Sequence, residues 1–294
     1  MKYLPLTLVL ALFLAAAVAQ TTPTAAPSTV VDKSFVVFNV NPSDAKGRAS
    51  VEPMFLVRGD KLFSPPLIDD RKPATKAAFL RFAKKHMAAG RRLTLLAGGA
   101  KFGEAPVRSV AAEQSGISAD VQFATPAKTA SMLATDDVAA LKLHEDLRLK
   151  LEDADRVLLR QRAMDWFAAK HMKAQSALLS IRRAQATRIV ADGPRTLVAT
   201  LEYKVGEKTH LFFMILEEKE GRFIDTYFEH HLAIGESDCA NYKRKEFLGQ
   251  LDLDGDGVDE LIVQQGFCES WNYVVLKRVD GAWKQMYEGG GGGE

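Results

Sequence analysis

The chain carries almost no surplus of either charge. Its 39 Lys and Arg stand against 37 Asp and Glu, a formal net charge of +2. No long basic stripe appears, which argues against a dedicated nucleic-acid binder. Clusters such as Arg71-Lys72, Lys84-Lys85 and Arg91-Arg92 read instead as solvated faces. No long apolar run follows the amino-terminal segment, so the rest of the chain offers no helical membrane span. Neither Gly-x-Ser-x-Gly nor His-Glu-x-x-His occurs, so two common hydrolytic signatures are missing. Gly98-Gly-Ala-Lys-Phe-Gly103 lacks the spacing of a phosphate loop and reads as a turn. Cysteine is scarce as well: Cys239 and Cys268 are the whole supply.

What is there begins with an address. Lys2 precedes an apolar run from Leu4 to Ala17, and Ala17-Val-Ala19 is a small-x-small cleavage site. Residues 1–19 read as a secretory signal peptide, with the mature chain starting near Gln20. No cysteine follows that site, so a lipid anchor lacks its attachment residue. The expected location is secreted or periplasmic. Loss of Lys2 lowers the formal charge from +2 to +1. In an oxidising compartment the default for Cys239 and Cys268 is one disulfide, two buried thiols being the alternative. Neither cysteine sits in a protease-like local signature.

Composition then divides the chain. Residues 20–32, rich in Thr, Ala, Pro and Ser, read as a flexible linker. Residues 33–126 read as a mixed, mostly β module, with one helix over Thr75 to Ala89 stopped by Gly90. Residues 130–185 read as a helical segment. Asp153 or Asp155 is its candidate cap, and Val157, Met164, Phe167, Ala168 and His171 form its apolar stripe. The alternating charges from Asp136 to Asp155 suit an exposed helix. Residues 186–288 turn to strands, with Asp280-Gly281 as a hairpin signal. The glycine run at 289–294 reads as a disordered tail. The expected class is α+β: a small mostly-β module, a helical middle and a C-terminal pair of blade-like antiparallel β-meanders.

The densest chemistry is Asp252-Leu-Asp-Gly-Asp-Gly-Val-Asp-Glu260. Five carboxylates in nine residues repel one another unless a cation neutralises them. A hard divalent ion held by oxygen is the simplest candidate; an acidic hairpin loop without an ion is the other. Asp192-Gly193 lies on Asp256-Gly257 at constant offset, and Leu197-Val198 on Leu261-Ile262. This suggests an internal repeat of loop and three strands, as in a propeller blade. The first copy has Arg188, Val190 and Thr196 where the second has Asp252, Asp254 and Glu260, so only the second loop should bind metal.

That second loop, running into Leu261-Ile-Val263, resembles the calcium loop of FG-GAP or VCBS-type repeats of integrin-like propellers. The resemblance covers only about the last hundred residues. It implies a structural Ca²⁺ held by side-chain oxygens of Asp252, Asp254 and Asp256, the backbone carbonyl of Val258, and Glu260. Glu260 stands where that family has Asp. It also implies that Asp259 lies outside the ligand set. An EF-hand is disfavoured, since its closing Glu would fall at Val263 and a strand follows rather than a helix.

No catalytic constellation stands out. Glu229-His230-His231, with Asp225 and Asp238 nearby in sequence, is the best alternative site for zinc or acid–base work. Neighbours on a strand face opposite ways, however, so His230 and His231 should not share a metal. Trp271, Tyr273 and Trp283 read as packing residues. The expectation is a non-enzymatic binding or envelope-structural protein with an unknown protein or extracellular ligand as partner. The alternative is a secreted hydrolase with a cleft between the N-terminal module and the β region.

Overall fold

Antiparallel strands dominate the described residues, and many of them run nine residues or longer. The computed structural model describes residues 34–42, 47–68, 72–113, 116–123, 132–235 and 238–293. The segments read as signal peptide and linker, 1–19 and 20–32, lie outside the described residues. Of the described residues, 56% are strand and 15% helix.

The first unit is a closed six-stranded antiparallel barrel. Its strands are β1 (Ser34–Pro42), β2 (Arg48–Arg58), β4 (Arg92–Ala97), β5 (Ala100–Glu113), β6 (Gly116–Gln122) and β7 (Leu133–Thr135). They run in the order β1-β7-β4-β5-β6-β2, and β1 pairs β2 to shut the ring. A short β3 (Lys61–Phe63) adds to the outer edge of β2. Val36, Phe38 and Val40 point inward on β1, with Leu93, Leu95, Val107 and Val121 from other strands. Helix α1 (Pro73–His86) adds Phe79, Phe82 and Ala83 to that core, joined by Met87. These residues keep the i, i+3, i+4 spacing that makes one helix face apolar.

The second unit is a five-stranded sheet of β8 (Arg148–Leu149), β9 (Leu179–Thr187), β10 (Thr196–Val205), β11 (Lys208–Lys219) and β12 (Arg222–Ile234), in the order β12-β11-β10-β9-β8. The third is the four-stranded meander β13 (Arg244–Leu251), β14 (Glu260–Gly266), β15 (Ser270–Val279) and β16 (Ala282–Gly293). Period-two alternation stacks the three units. Ile262, Tyr273 and Val275 pack on Phe35, Val37 and Phe55 of the barrel wall. Leu261, Val263 and Val274, on the opposite face, meet Val198, Phe213 and Ile215. The far face of the five-stranded sheet buries Leu197, Phe212 and Met214 against helix α2 (Asp153–Ala169). The meander is thus covered on both sides, which is why Leu261-Ile262-Val263 is continuously apolar and 0% exposed.

The α+β expectation with its helical middle is overturned. Among the described residues of 130–185 only α2 is helical apart from two 3₁₀ turns; β7, β8 and the start of β9 also lie there, joined by irregular chain. The misread charges pair as they do along extended chain. Arg148 binds Asp146 at 2.6 Å and Lys150 binds Glu152 at 3.1 Å, both two residues apart rather than four. On α2 the buried residues are Asp155, Leu159, Ala163 and Phe167, while Val157 is 67% exposed. His171 lies past the helix end at φ 55°. Glu152 is the N-cap, in a capping box with Asp155, so Asp155 serves the cap from the third position. The two β regions are unequal sheets of five and four strands, the larger one completed by β8 from the middle segment.

The terminal glycines also differ from expectation. Gly289, Gly292 and Gly293 pair with Tyr273, Trp271 and Ser270. A Cβ on Gly291 (φ +83°) would lie 2.0 Å from the Trp271 carbonyl oxygen. Side chains are sterically barred there, so a run that looks featureless is a strand end that fits only as glycine. Gly291→Ala should cost about 1–3 kcal/mol and strip hydrogen-exchange protection from the end of β16. Unchanged protection would contradict this pairing.

Candidate metal site in the β13–β14 loop

The acidic loop joins β13, at the edge of the meander, to β14 inside it, and the buried residues of both strands anchor its ends in core. Gly255 and Gly257 adopt φ of +83° and +88°, where a β-carbon is disfavoured. This backbone wraps around Asp252, which is 2% exposed. Its Oδ1 accepts the Gly255 N–H at 2.7 Å and its Oδ2 the Gly257 N–H at 2.9 Å. Glu260, 1% exposed, accepts the Leu253 N–H on Oε2 at 2.8 Å. One oxygen each from Asp252, Asp254 and Glu260 lies within 4.8 Å of the others, a group that could hold a metal ion. Glu260 Oε1 is buried and accepts no hydrogen bond. The all-oxygen donor set, with a buried carboxylate oxygen that accepts no aligned hydrogen bond, fits a hard cation.

Asp256 and Val258 belong to the same turn without joining that triad. Asp256 is exposed, and its Oδ1 accepts the Val258 N–H at 2.8 Å. Lys277, reaching over from β15, was not foreseen. Its Nζ binds Asp254, lies 2.8 Å from Asp256 Oδ2 and 3.1 Å from Glu260 Oε1. The last contact is an ion pair without hydrogen-bond alignment. Burial pushes the Glu260 carboxyl up to about 7, and the charge of Asp254 adds to that rise. For Lys277 burial acts downward, but Asp254, Asp256 and Glu260 outweigh it and raise the ammonium above its ordinary value.

Asp259 points the other way. It is 1% exposed and accepts Gln250 Nε2 at 2.7 Å on Oδ2, while Oδ1 meets His144 Nε2 at 2.8 Å. His144 Nδ1 lies 2.6 Å from the Glu145 carbonyl. Both ring nitrogens face acceptors, so the geometry selects imidazolium. The bond to Asp259 accordingly raises the His144 pKa against the lowering effect of burial. Gln250 also donates to the Arg188 carbonyl at 2.5 Å, and the Asp259 N–H reaches the Ile189 carbonyl at 2.8 Å. Gly99, in the β4–β5 turn, leaves the room that His144 fills. The barrel turn at Gly99, the connecting segment at His144 and the Arg188–Ile189 stretch after β9 therefore meet at Asp259, behind the acidic loop. His144 and Asp259 are 115 residues apart, and nothing in their local sequence signals the pairing.

Cys239 and Cys268 form a disulfide with Cα atoms 5.1 Å apart. It ties the segment after β12 to the β14–β15 turn.

The histidine alternative disperses. His230 stacks on Trp166 of α2, ring centroids 3.9 Å apart, and its Nε2 lies 3.0 Å from His210 Nδ1. His231, on the opposite face, has Glu229 as its nearest carboxylate at 3.8 Å. Asp225 pairs with Arg162, and Asp238 accepts the Ile234 N–H. Burial, then the charges of His210, His231 and Lys170, lowers His230 to about 4. A lowered histidine pKa adds stability above the unfolded value, about 6.5, and loses it as pH falls toward the folded one. Acidification from pH 7 to 4.5 should therefore cost about 2 kcal/mol at this pair, after discounting for partial solvent screening. Denaturant melts of wild type and His230→Phe should differ in acid sensitivity by that amount; equal sensitivity would refute the assignment. Tyr273 and Trp283 are packing residues with polar handles. The Tyr273 hydroxyl donates to Glu52 at 2.9 Å, and Trp283 Nε1 donates to the buried Glu217 at 3.1 Å.

Comparison with family models, with curated proteins and with solved structures finds no match to this chain. Among the described residues no helix is long and apolar enough to cross a membrane.

Proposed function

We propose that the protein is a secreted or periplasmic, non-enzymatic protein with a binding or envelope-structural role, whose β13–β14 loop takes a structural Ca²⁺. The observation that carries the metal is the convergence of Asp252, Asp254 and Glu260, whose buried Oε1 accepts no aligned hydrogen bond. Asp256 and the Val258 carbonyl complete the ligand set, as the likeness to FG-GAP and VCBS-type loops implies. The export signal at residues 1–19 supports the compartment, where calcium is plentiful. The binding or structural role rests on the layered β core and on a cation site that joins strands. Bound calcium would offset the repulsion among the carboxylates and fix the crossing from β13 to β14.

Free calcium at a hundred times its dissociation constant should stabilise the fold by about 2.7 kcal/mol, or about 5–10 °C in melting temperature. Thermal melts of the metal-stripped protein with and without added CaCl₂ measure this. Identical melts, with no ion retained on elemental analysis, would remove the calcium reading.

A further inference from the structure

Lys277 holds the position that a cation in this loop would need. Its ammonium meets three of the loop's carboxylates: Asp254, Asp256 at 2.8 Å and Glu260 at 3.1 Å. Calcium ligands stand about 2.3–2.6 Å from the ion, so an ion on these same oxygens would sit in contact with the ammonium. Two cations cannot share that volume, and one must leave. Lys277 has a way out. Its side chain is 19% exposed and extends from β15, while the loop backbone is held independently by Asp252 and by Glu260 Oε2. Leaving has a cost, because Lys277 sits directly across from Lys284 in the β15–β16 register. Like charges opposite one another repel. The carboxylates draw the ammonium inward and Lys284 discourages its return to the strand surface.

We infer that Lys277 is a tethered counter-cation that occupies the loop without metal and is displaced when a divalent ion binds. The inference rests on the calcium reading and adds its regulation. The four carboxylates Asp252, Asp254, Asp256 and Glu260 carry one positive partner in the closed state. A divalent ion brings two charges, but binding must first break the three contacts of Lys277. The lysine therefore keeps the loop folded at low calcium and weakens its affinity, so that the site fills only where calcium is abundant. Asp259, paired with His144, takes no part in the exchange.

The test compares wild type with Lys277→Met, which keeps the apolar stem and loses the charge, and with Lys277→Arg, which keeps the charge. Calcium binding is measured by calorimetry on metal-stripped full chains, and melting is followed with and without calcium. Lys277→Met should bind calcium at least tenfold more tightly than wild type and melt at a lower temperature when metal-free. Lys277→Arg should stay close to wild type. If Lys277→Met folds only with calcium present, that recovery meets the same expectation. A second readout uses wild type alone: acetic anhydride labelling of Lys277 should rise on calcium addition. Equal or weaker calcium binding by folded Lys277→Met, or labelling that calcium leaves unchanged, overturns the displacement while the calcium reading stands. Absence of binding in both wild type and Lys277→Met overturns the two together.

Discussion

Asp259→Ala should lower the unfolding free energy by about 3–5 kcal/mol, the range for removing one member of a buried ion pair. The carboxylate is 1% exposed and has two partners, Gln250 at 2.7 Å and His144 at 2.8 Å. Alanine would leave Gln250 Nε2 with the Arg188 carbonyl alone. It would also leave His144 Nε2 facing an empty pocket without its acceptor. The loss falls where the barrel, the connecting segment and both sheets meet, so no single unit can relax to absorb it. Urea unfolding of Asp259→Ala, His144→Ala and the double variant gives the measurement. The cycle should show coupling above about 1 kcal/mol, because each partner is costly only while the other remains. A total loss under 1 kcal/mol, or additive single effects, would mean that this pair does not hold the loop.

Removing the disulfide should have the next largest effect. Cys239 and Cys268 are 29 residues apart, and a ring of that size is worth about 3.5 kcal/mol in the chain-entropy model. Both cysteines are exposed, so Cys239→Ser/Cys268→Ser opens no cavity, and the loss should come mainly from the freed unfolded chain. Cys239→Ser alone, the double variant, and wild type in reductant should all lose the same amount. A double variant as stable as wild type would show that the crosslink constrains nothing the fold does not already constrain.

Much of the local structure was legible in the residues. Two cysteines in a chain read as exported admit one intramolecular pair, and the structure forms it. The spacing of Phe79, Phe82, Ala83 and Met87 marked α1, since one helix face must be apolar to seal the barrel. Asp252, Asp254 and Glu260 converge because the glycines at 255 and 257 permit the turn that brings them together. The segment 130–185 was misread for a definite reason. Alternating charge serves a helix surface and an extended strap equally well, and three-residue strands such as β7 leave no periodicity to detect. The glycine run misled in the opposite direction, because a sequence without side chains also suits a strand end that tolerates none.

By itself the sequence determined the acidic loop, its glycine hinges and the cysteine pair, all features whose chemistry is complete within a few neighbouring positions or a forced pairing. Tertiary structure alone decided that β7 closes a barrel, that the meander is buried on both faces, that His144 braces Asp259, and that Lys277 lies among the carboxylates. The physical reason is range. Those contacts join residues from 17 to more than 100 positions apart, and a side chain's partner at such a distance is set by how sheets stack, which no local pattern of residues encodes.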